Sequence, residues 1–319
     1  MLINIEELSI TFSTFHGKVH VLDKVSLSVN RREILAIVGE SGSGKSVTAY
    51  SILGLLDKNA EISNGHIYFD EEDLTKLSPN KIQKYRGKRI GMVFQEPMSA
   101  LHPTMRIGDQ LVNVIKRHRK LSKKDAYPIM LDMLKDVHFD NPEDIAKKYP
   151  HQLSGGMRQR IVIALAMSGQ PELLIADEPT TALDVTIQAE ILNLIKELVQ
   201  KHNTAVLLIT HDLGVVKEVG DRVCVMYGGN IMESGSVDQI FESPRHPYTK
   251  ALLSALPNHV DRSERLQEIT GEIPDLKNRP EGCIFYSRCS EGKSTCTEKA
   301  PACMQVSEAH HVYCWEVHS

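Results

Sequence analysis

The spacing of apolar positions predicts short strands over residues 3–12, 20–29 and 33–38, near 66–70 and 89–94, and over 172–177, 205–210 and 222–227. The runs EILAIV, ELLIAD and AVLLIT are almost unbroken apolar, as in strands covered on both faces of a mostly parallel sheet. Helical periodicity fills the stretches between them. It is clearest over 187–202, where Ile187, Ile191, Leu194, Ile195, Leu198 and Val199 share one face. Alternating strands and helices predict an α/β fold with ligands at the C-terminal strand ends. Residues 96–165 break the alternation with helical patterns at 107–118, 123–137 and 154–169, and are read as a helical subdomain inserted into the α/β core. From residue 244 the pattern changes again: Pro244, Pro247, Pro257, Pro274, Pro280 and Pro301 recur, and helical signal is short. Residues 1–243 are therefore expected to form one domain and 244–319 a small, Cys-rich, separate appendage.

Composition narrows the classes. A length of 319 residues allows one large domain or two modest ones. Lys and Arg total 37 against 41 Asp and Glu, a net charge of −4 that argues against a general nucleic-acid binder. No run of 18 or more apolar residues exists, which excludes an integral membrane chain, and MLINIEELSI lacks a basic-then-apolar leader. A cytosolic setting is expected. Five of the six cysteines, Cys283, Cys289, Cys296, Cys303 and Cys314, fall in the last 37 residues.

Two motifs carry chemistry on their own spacing. Residues 39–46, Gly39-Glu40-Ser41-Gly42-Ser43-Gly44-Lys45-Ser46, fit the phosphate-loop pattern GxxxxGK[ST] between a strand and a helical stretch, 45–56. Glycines there let backbone N–H groups turn in around phosphate oxygens, and the helix start adds positive field. Lys45 would reach the β- and γ-phosphates and Ser46 would coordinate Mg²⁺. The strand LLIADE, residues 173–178, ends in Asp177-Glu178. Asp177 would stand beside the magnesium and Glu178 would polarise an attacking water as general base, although paired acids at a strand end also serve as turn formers.

Leu153-Ser154-Gly155-Gly156-Met157-Arg158-Gln159-Arg160 resembles the signature of ATP-binding-cassette ATPases, and the motif order (phosphate loop, Gln95, signature, Asp177-Glu178, Asp184, His211) is similar to that family's over residues 3–240. The resemblance implies a phosphate-loop ATPase core that works as a head-to-tail pair, each ATP lying between one subunit's phosphate loop and the other's signature. It implies ATP contacts at Gly39, Ser41, Gly42, Ser43, Gly44, Lys45, Ser46, Val47 and Gln95. Mg²⁺ would be held by Ser46, Gln95 and Asp177, and Ser154, Gly155 and Gly156 would meet the partner subunit's ATP. Small residues opening a helix suit that contact, because they leave N–H groups free for an anion; a capping Ser followed by flexible glycines is the alternative reading. Asp184 corresponds to the loop that crosses the dimer, and His211 to the residue that holds water and Glu178 in line. The adenine would stack on an aromatic upstream of the loop; of Phe12, Phe15 and His16, Phe15 is the choice, since Phe12 fits the strand alternation as a core residue.

The tail narrows the resemblance. Residues 243–250, SPRHPYTK, with Gly282-Cys283, Arg288-Cys289, Cys296 and His311-Val312-Tyr313-Cys314, are similar to ATPases serving dipeptide, oligopeptide and nickel importers. That likeness implies a [4Fe–4S] cluster on Cys283, Cys289, Cys296 and Cys314, with no place for Cys303. Spacing alone leaves zinc, iron–sulfur and unligated thiols open, and disulfides do not suit a cytosolic chain. Cys224 reads as a small buried hydrophobe. The expected function is the ATP-hydrolysing subunit of an importer of short peptides, with nickel or metallophore import as the alternative cargo and a soluble non-transport cassette as a distant one. The implied partners are two integral-membrane permease subunits, docked near residues 95–106, a second cassette ATPase as homo- or heterodimer, and indirectly an extracytoplasmic substrate-binding protein. No nucleic acid is expected. The chain would sit peripherally on the cytoplasmic face of the membrane.

Overall fold

In the computed structural model, which describes residues 1–181, 183–256 and 269–318, the chain opens with two long antiparallel strands, β1 (Ile3–Thr14) and β2 (Gly17–Val29). The turn between them is Phe15-His16. Strand β3 (Ile34–Val38), buried along its whole length, runs into the loop 39–44 and helix α1 (Lys45–Ile52). The chain then returns through β4 (Ala60–Phe69), which pairs antiparallel with β1, and the short β5 (Glu72–Asp73). The resulting sheet has the order β2-β1-β4-β5. Phe12 is only half-buried here, not the core residue that alternation predicts. The register of β1 shifts around Ile10 and Thr11, so these two neighbours are both buried and the period-two pattern slips before Phe12.

The chain divides into two units, one of Met1–Val29, Ile34–Lys76 and Thr210–Ser319, the other of Asn30–Glu33 and Leu77–Ile209. The second unit contains α2 (Pro79–Ile82), β6 (Ile90–Val93), α3 (Pro97–Ala100), α4 (Ile107–Arg119), α5 (Lys123–Asp136), α6 (Pro142–Lys147), α7 (Gly155–Met167), β7 (Leu173–Asp177), α8 (Val185–His202) and β8 (Ala205–Thr210). Strands β6, β7 and β8 are parallel, as the unbroken apolar runs predict. Helix α4 buries Ile107, Leu111, Val112 and Ile115, and α5 buries Ala126, Met130, Met133 and Leu134. Helix α8 buries Ile191, Leu192, Leu194, Ile195, Leu198 and Val199, and leaves Ile187 half-buried. Among the described residues, no helix is long and apolar enough to cross a membrane.

Beyond residue 210 the chain rejoins the first unit through α9 (Leu213–Val219) and β9 (Arg222–Tyr227), which lies parallel to β3. Antiparallel β10 (Asn230–Ser236) follows, then α10 (Val237–Glu242), whose start is closed by reciprocal bonds between Ser236 and Gln239. The tail adds α11 (Pro247–Ser254), α12 (Thr295–Glu298), β11 (Met304–Ser307) and β12 (His310–Val312). Within this unit the strand order is β11-β12-β10-β9-β3.

The tail extends this unit's core. Tyr248, Leu253, Ile284 and Phe285 pack in one buried cluster with Ala36, Val38, Val223, Val225 and Tyr227. At roughly 1.5–3 kcal/mol per large buried side chain, those four tail residues contribute several kcal/mol to holding the segment in place. Glu233 on β10 is a second anchor. It is fully buried and accepts from the backbone N–H of Arg245 (2.8 Å) and His246 (2.9 Å), and it stands 2.8 Å from His310 Nε2. Cys224 is buried in β9, and no disulfide joins the described cysteines.

Candidate functional site

The phosphate-loop residues lie in the first unit. Lys45 begins α1 and is buried, yet its ammonium donates to the carbonyls of Gly39 (2.8 Å) and Glu40 (2.9 Å). Charge is tolerated there because oriented carbonyl dipoles replace water. The loop needs glycine at two positions. Gly39 has φ +151°, and a Cβ there would fall 2.0 Å from the Met226 carbonyl oxygen. Gly44 has φ +99°, and its Cβ would meet Leu22 at 2.5 Å. Gly229, in the β9–β10 turn, donates to the Ser43 carbonyl (3.0 Å). Ser41 and Gly42 are exposed, Ser43 and Gly44 buried, Ser46 and Val47 half-buried. Phe15 is 99% exposed, and its ring meets His16 edge-on at 5.4 Å. His211 is exposed directly after β8.

The second unit brings together two residues that sequence reading treats separately. Gln95 Nε2 donates to Glu178 Oε2 (2.9 Å), and Thr181 Oγ1 donates to the same oxygen (2.9 Å). Thr181 is an addition, and the Asp177-Glu178 spacing carries no signal for it. Glu178 adopts φ +46°, a left-handed conformation uncommon outside glycine, while its N–H donates to Ile209. Asp177 ends β7 and is buried.

The signature residues open α7. Ser154 is its N-cap, and Oγ accepts from Met157 N (3.3 Å). The two glycines differ. Beside Gly155 a Cβ would meet nothing closer than Leu183 at 3.5 Å, whereas beside Gly156 it would strike Ile187 at 2.6 Å. Gly156 thus lets α7 approach α8. Asp184 is the N-cap of α8, accepting from Ile187 N at 3.0 Å.

In the tail, Cys283, Cys289, Cys296 and Cys314 all line one small cavity, together with His246, Phe285 and Trp315. Cys303 is exposed and lines a different cavity, beside Tyr313 and Arg279. Burial pushes the Cys283 thiol up to about 11, and negative charge on Cys296, Cys314 or Cys289 would push it the same way. Burial also raises Cys289 and Cys314. The fit to a metal centre is partial. The four cysteines line one cavity, but among the described residues no three His, Cys, Asp or Glu side chains are grouped so as to hold a metal ion.

Comparison with known proteins agrees with these motifs. Residues 22–181 match the family model for ABC transporters, and residues 232–296 match the oligopeptide/dipeptide transporter C-terminal region. The chain is 47% identical over 99% of its length to the oligopeptide transport ATP-binding protein OppD of Bacillus subtilis, of which 89% is covered. It is 48% identical over 98% of its length to the dipeptide transport ATP-binding protein DppD of the same organism (94% covered), and 42% over 98% to the Escherichia coli DppD (96% covered). Among solved structures, a dimeric ATP-binding cassette in a post-hydrolysis state with ADP and Pi superposes with a TM-score of 0.66 at 27% identity, covering 74% of this chain and 99% of that one. The motifs, the full-length identity and the fold agree: the chain belongs to the ATP-binding proteins of the ABC transporter family.

Proposed function

We propose that this chain is the ATP-hydrolysing subunit of an importer of dipeptides or oligopeptides. The observation that carries this reading is likeness along the whole chain, tail included, to oligopeptide and dipeptide transport ATP-binding proteins. Residues 39–47 cradle the phosphates, with Lys45 exchanging its carbonyl partners for phosphate oxygens. Ser46, Gln95 and Asp177 are the residues that would hold Mg²⁺, which neutralises charge on the transferring phosphoryl group. Glu178 takes a proton from the attacking water; its carboxylate already accepts from Gln95 and Thr181, which fix its direction. His211 supports that alignment. Ser154, Gly155 and Gly156 face a partner subunit's nucleotide, where the open face of Gly155 supports close approach of an anion. Asp184 lies in the dimer-crossing loop, and Phe15, exposed on its turn, is the base platform.

The same reading gives residues 1–243 the nucleotide chemistry and 244–319 the importer-type tail. Two membrane permeases, a second cassette ATPase and, through them, a substrate-binding protein are its partners, with the chain peripheral on the cytoplasmic face of the membrane. An iron–sulfur cluster on Cys283, Cys289, Cys296 and Cys314 belongs to this proposal. That all four line one cavity supports it, whereas Cys303 lines a second cavity that, of the four, only Cys283 shares.

Glu178→Gln is the test. The amide can still accept from Gln95 and Thr181 but cannot take a proton. Turnover measured by phosphate release should fall about 10²–10⁴-fold while ATP binding is kept. Unchanged hydrolysis would remove Glu178 from the role of base.

A further inference from the structure

We propose that the cysteine-bearing tail is a working part of the phosphate loop, with Arg288 and Tyr248 as positioning residues that hold the loop at Glu40. The inference rests on residues 39–46 binding nucleotide phosphates. Three groups of Glu40 are held separately. Its carboxylate is gripped two-pronged by Arg288, Nη1 to Oε2 at 2.7 Å and Nη2 to Oε1 at 3.1 Å. Its N–H donates to Tyr248 Oη at 3.1 Å, and its carbonyl accepts from Lys45 at 2.9 Å. Both tail groups thus meet the residue that also holds the catalytic lysine's ammonium.

Arg288 is itself tightly placed. Nε donates to the Thr270 carbonyl (3.0 Å), Nη2 to the Ile269 carbonyl (2.8 Å) and Nη1 to Tyr227 Oη (3.3 Å). Its side chain is 5% exposed, and its guanidinium lies 5.5 Å from the Tyr227 ring centroid. It occupies the turn Tyr286–Arg288, immediately before Cys289. The brace is therefore built on the same short segment that carries two of the cavity's sulfurs.

Charge explains why the brace matters. An acid inside a loop that receives phosphates repels the ligand, and the fork of Arg288 cancels that charge as well as fixing the loop. Removing Arg288 leaves a bare carboxylate beside the phosphates, and removing both charges relieves it.

The experiment measures binding of a fluorescent N-methylanthraniloyl-ATP by the full chain. Binding by the unaltered protein tests the phosphate-loop reading; the variants test the brace. Arg288→Ala should raise Kd about 10- to 100-fold, and Arg288→Lys, which keeps charge but loses the fork, should fall between. The double variant Arg288→Ala, Glu40→Gln should recover to within about fivefold of the unaltered protein, because no uncompensated acid remains. A purely structural role for Arg288 predicts no such rescue. Wild-type affinity in Arg288→Ala, or a loss that Glu40→Gln leaves uncorrected, would overturn the proposal. If Arg288→Ala does not fold, wild-type affinity in Arg288→Lys would overturn it equally.

Discussion

Lys45 is buried in the first unit and the four cavity cysteines, Cys283, Cys289, Cys296 and Cys314, are half-buried or buried there, but their surroundings treat charge oppositely. Around Lys45 the loop turns the Gly39 and Glu40 carbonyls onto an ammonium that has little solvent. Around Cys283 burial works against charge, and the thiol is pushed up to about 11, with only one backbone hydrogen bond, at Phe285, pulling it down. Burial by itself therefore does not decide charge state; the number of oriented dipoles does. The loop is pre-organised for an anion, while the thiols favour their neutral form unless a cation joins them.

The largest effect that could break this contrast comes from Lys45→Ala. The loop keeps its shape, because Gly39 and Gly44 set the backbone, but the group aimed at the β- and γ-phosphates is gone. Hydrolysis should drop at least ~10³-fold, and circular dichroism and melting should show a folded chain. Substantial phosphate release would mean that the loop's backbone alone does the work assigned to the lysine.

Next in size is Glu233→Ala, aimed at the tail's attachment. It removes a fully buried carboxylate that accepts from two backbone N–H groups and stands beside His310. Those donors would be left without partners in a dry interior. The cost should be about 3 kcal/mol, read as a lower urea midpoint, with the tail's amide protons exchanging faster than those of α8. Equal exchange in both would show that the tail is held by its apolar core alone.

The contrast also divides what the sequence made legible. The phosphate loop could be read because its chemistry depends on eight consecutive residues and on local turns. The helices α4, α5 and α8 were legible because 3.6-residue periodicity marks a buried face, whereas α7, buried at Ile161, Val162, Ile163 and Ala164 in succession, has no such face. The tail's integration was not, because its evidence is long-range. Tyr248, Phe285 and Arg288 meet Val38, Glu40 and Tyr227 across stretches with no shared period. Strands β11 and β12 are four and three residues long, too short to alternate visibly. Phe12 failed for a related reason: the shifted register of β1 is a property of its pairing with β2 and β4. In the same way, the contact that makes Gly156 necessary comes from Ile187 on another helix.

The smallest expected effect is the most discriminating. Tyr248→Phe deletes only the hydroxyl that accepts from Glu40 N–H. The ring remains, 4.8 Å from Tyr227 and 5.1 Å from Phe285 between centroids, so the aromatic packing that anchors the tail is kept. Melting should shift by no more than the value of one hydrogen bond, about 1 kcal/mol, whereas nucleotide affinity should fall about fivefold because the loop loses one of its two tail contacts. The two readouts separate tail-as-core from tail-as-brace. A lower melting point with unchanged affinity would place Tyr248 wholly in the core. Unchanged melting with weaker binding would place its hydroxyl in the service of the loop, as the 3.1 Å contact requires.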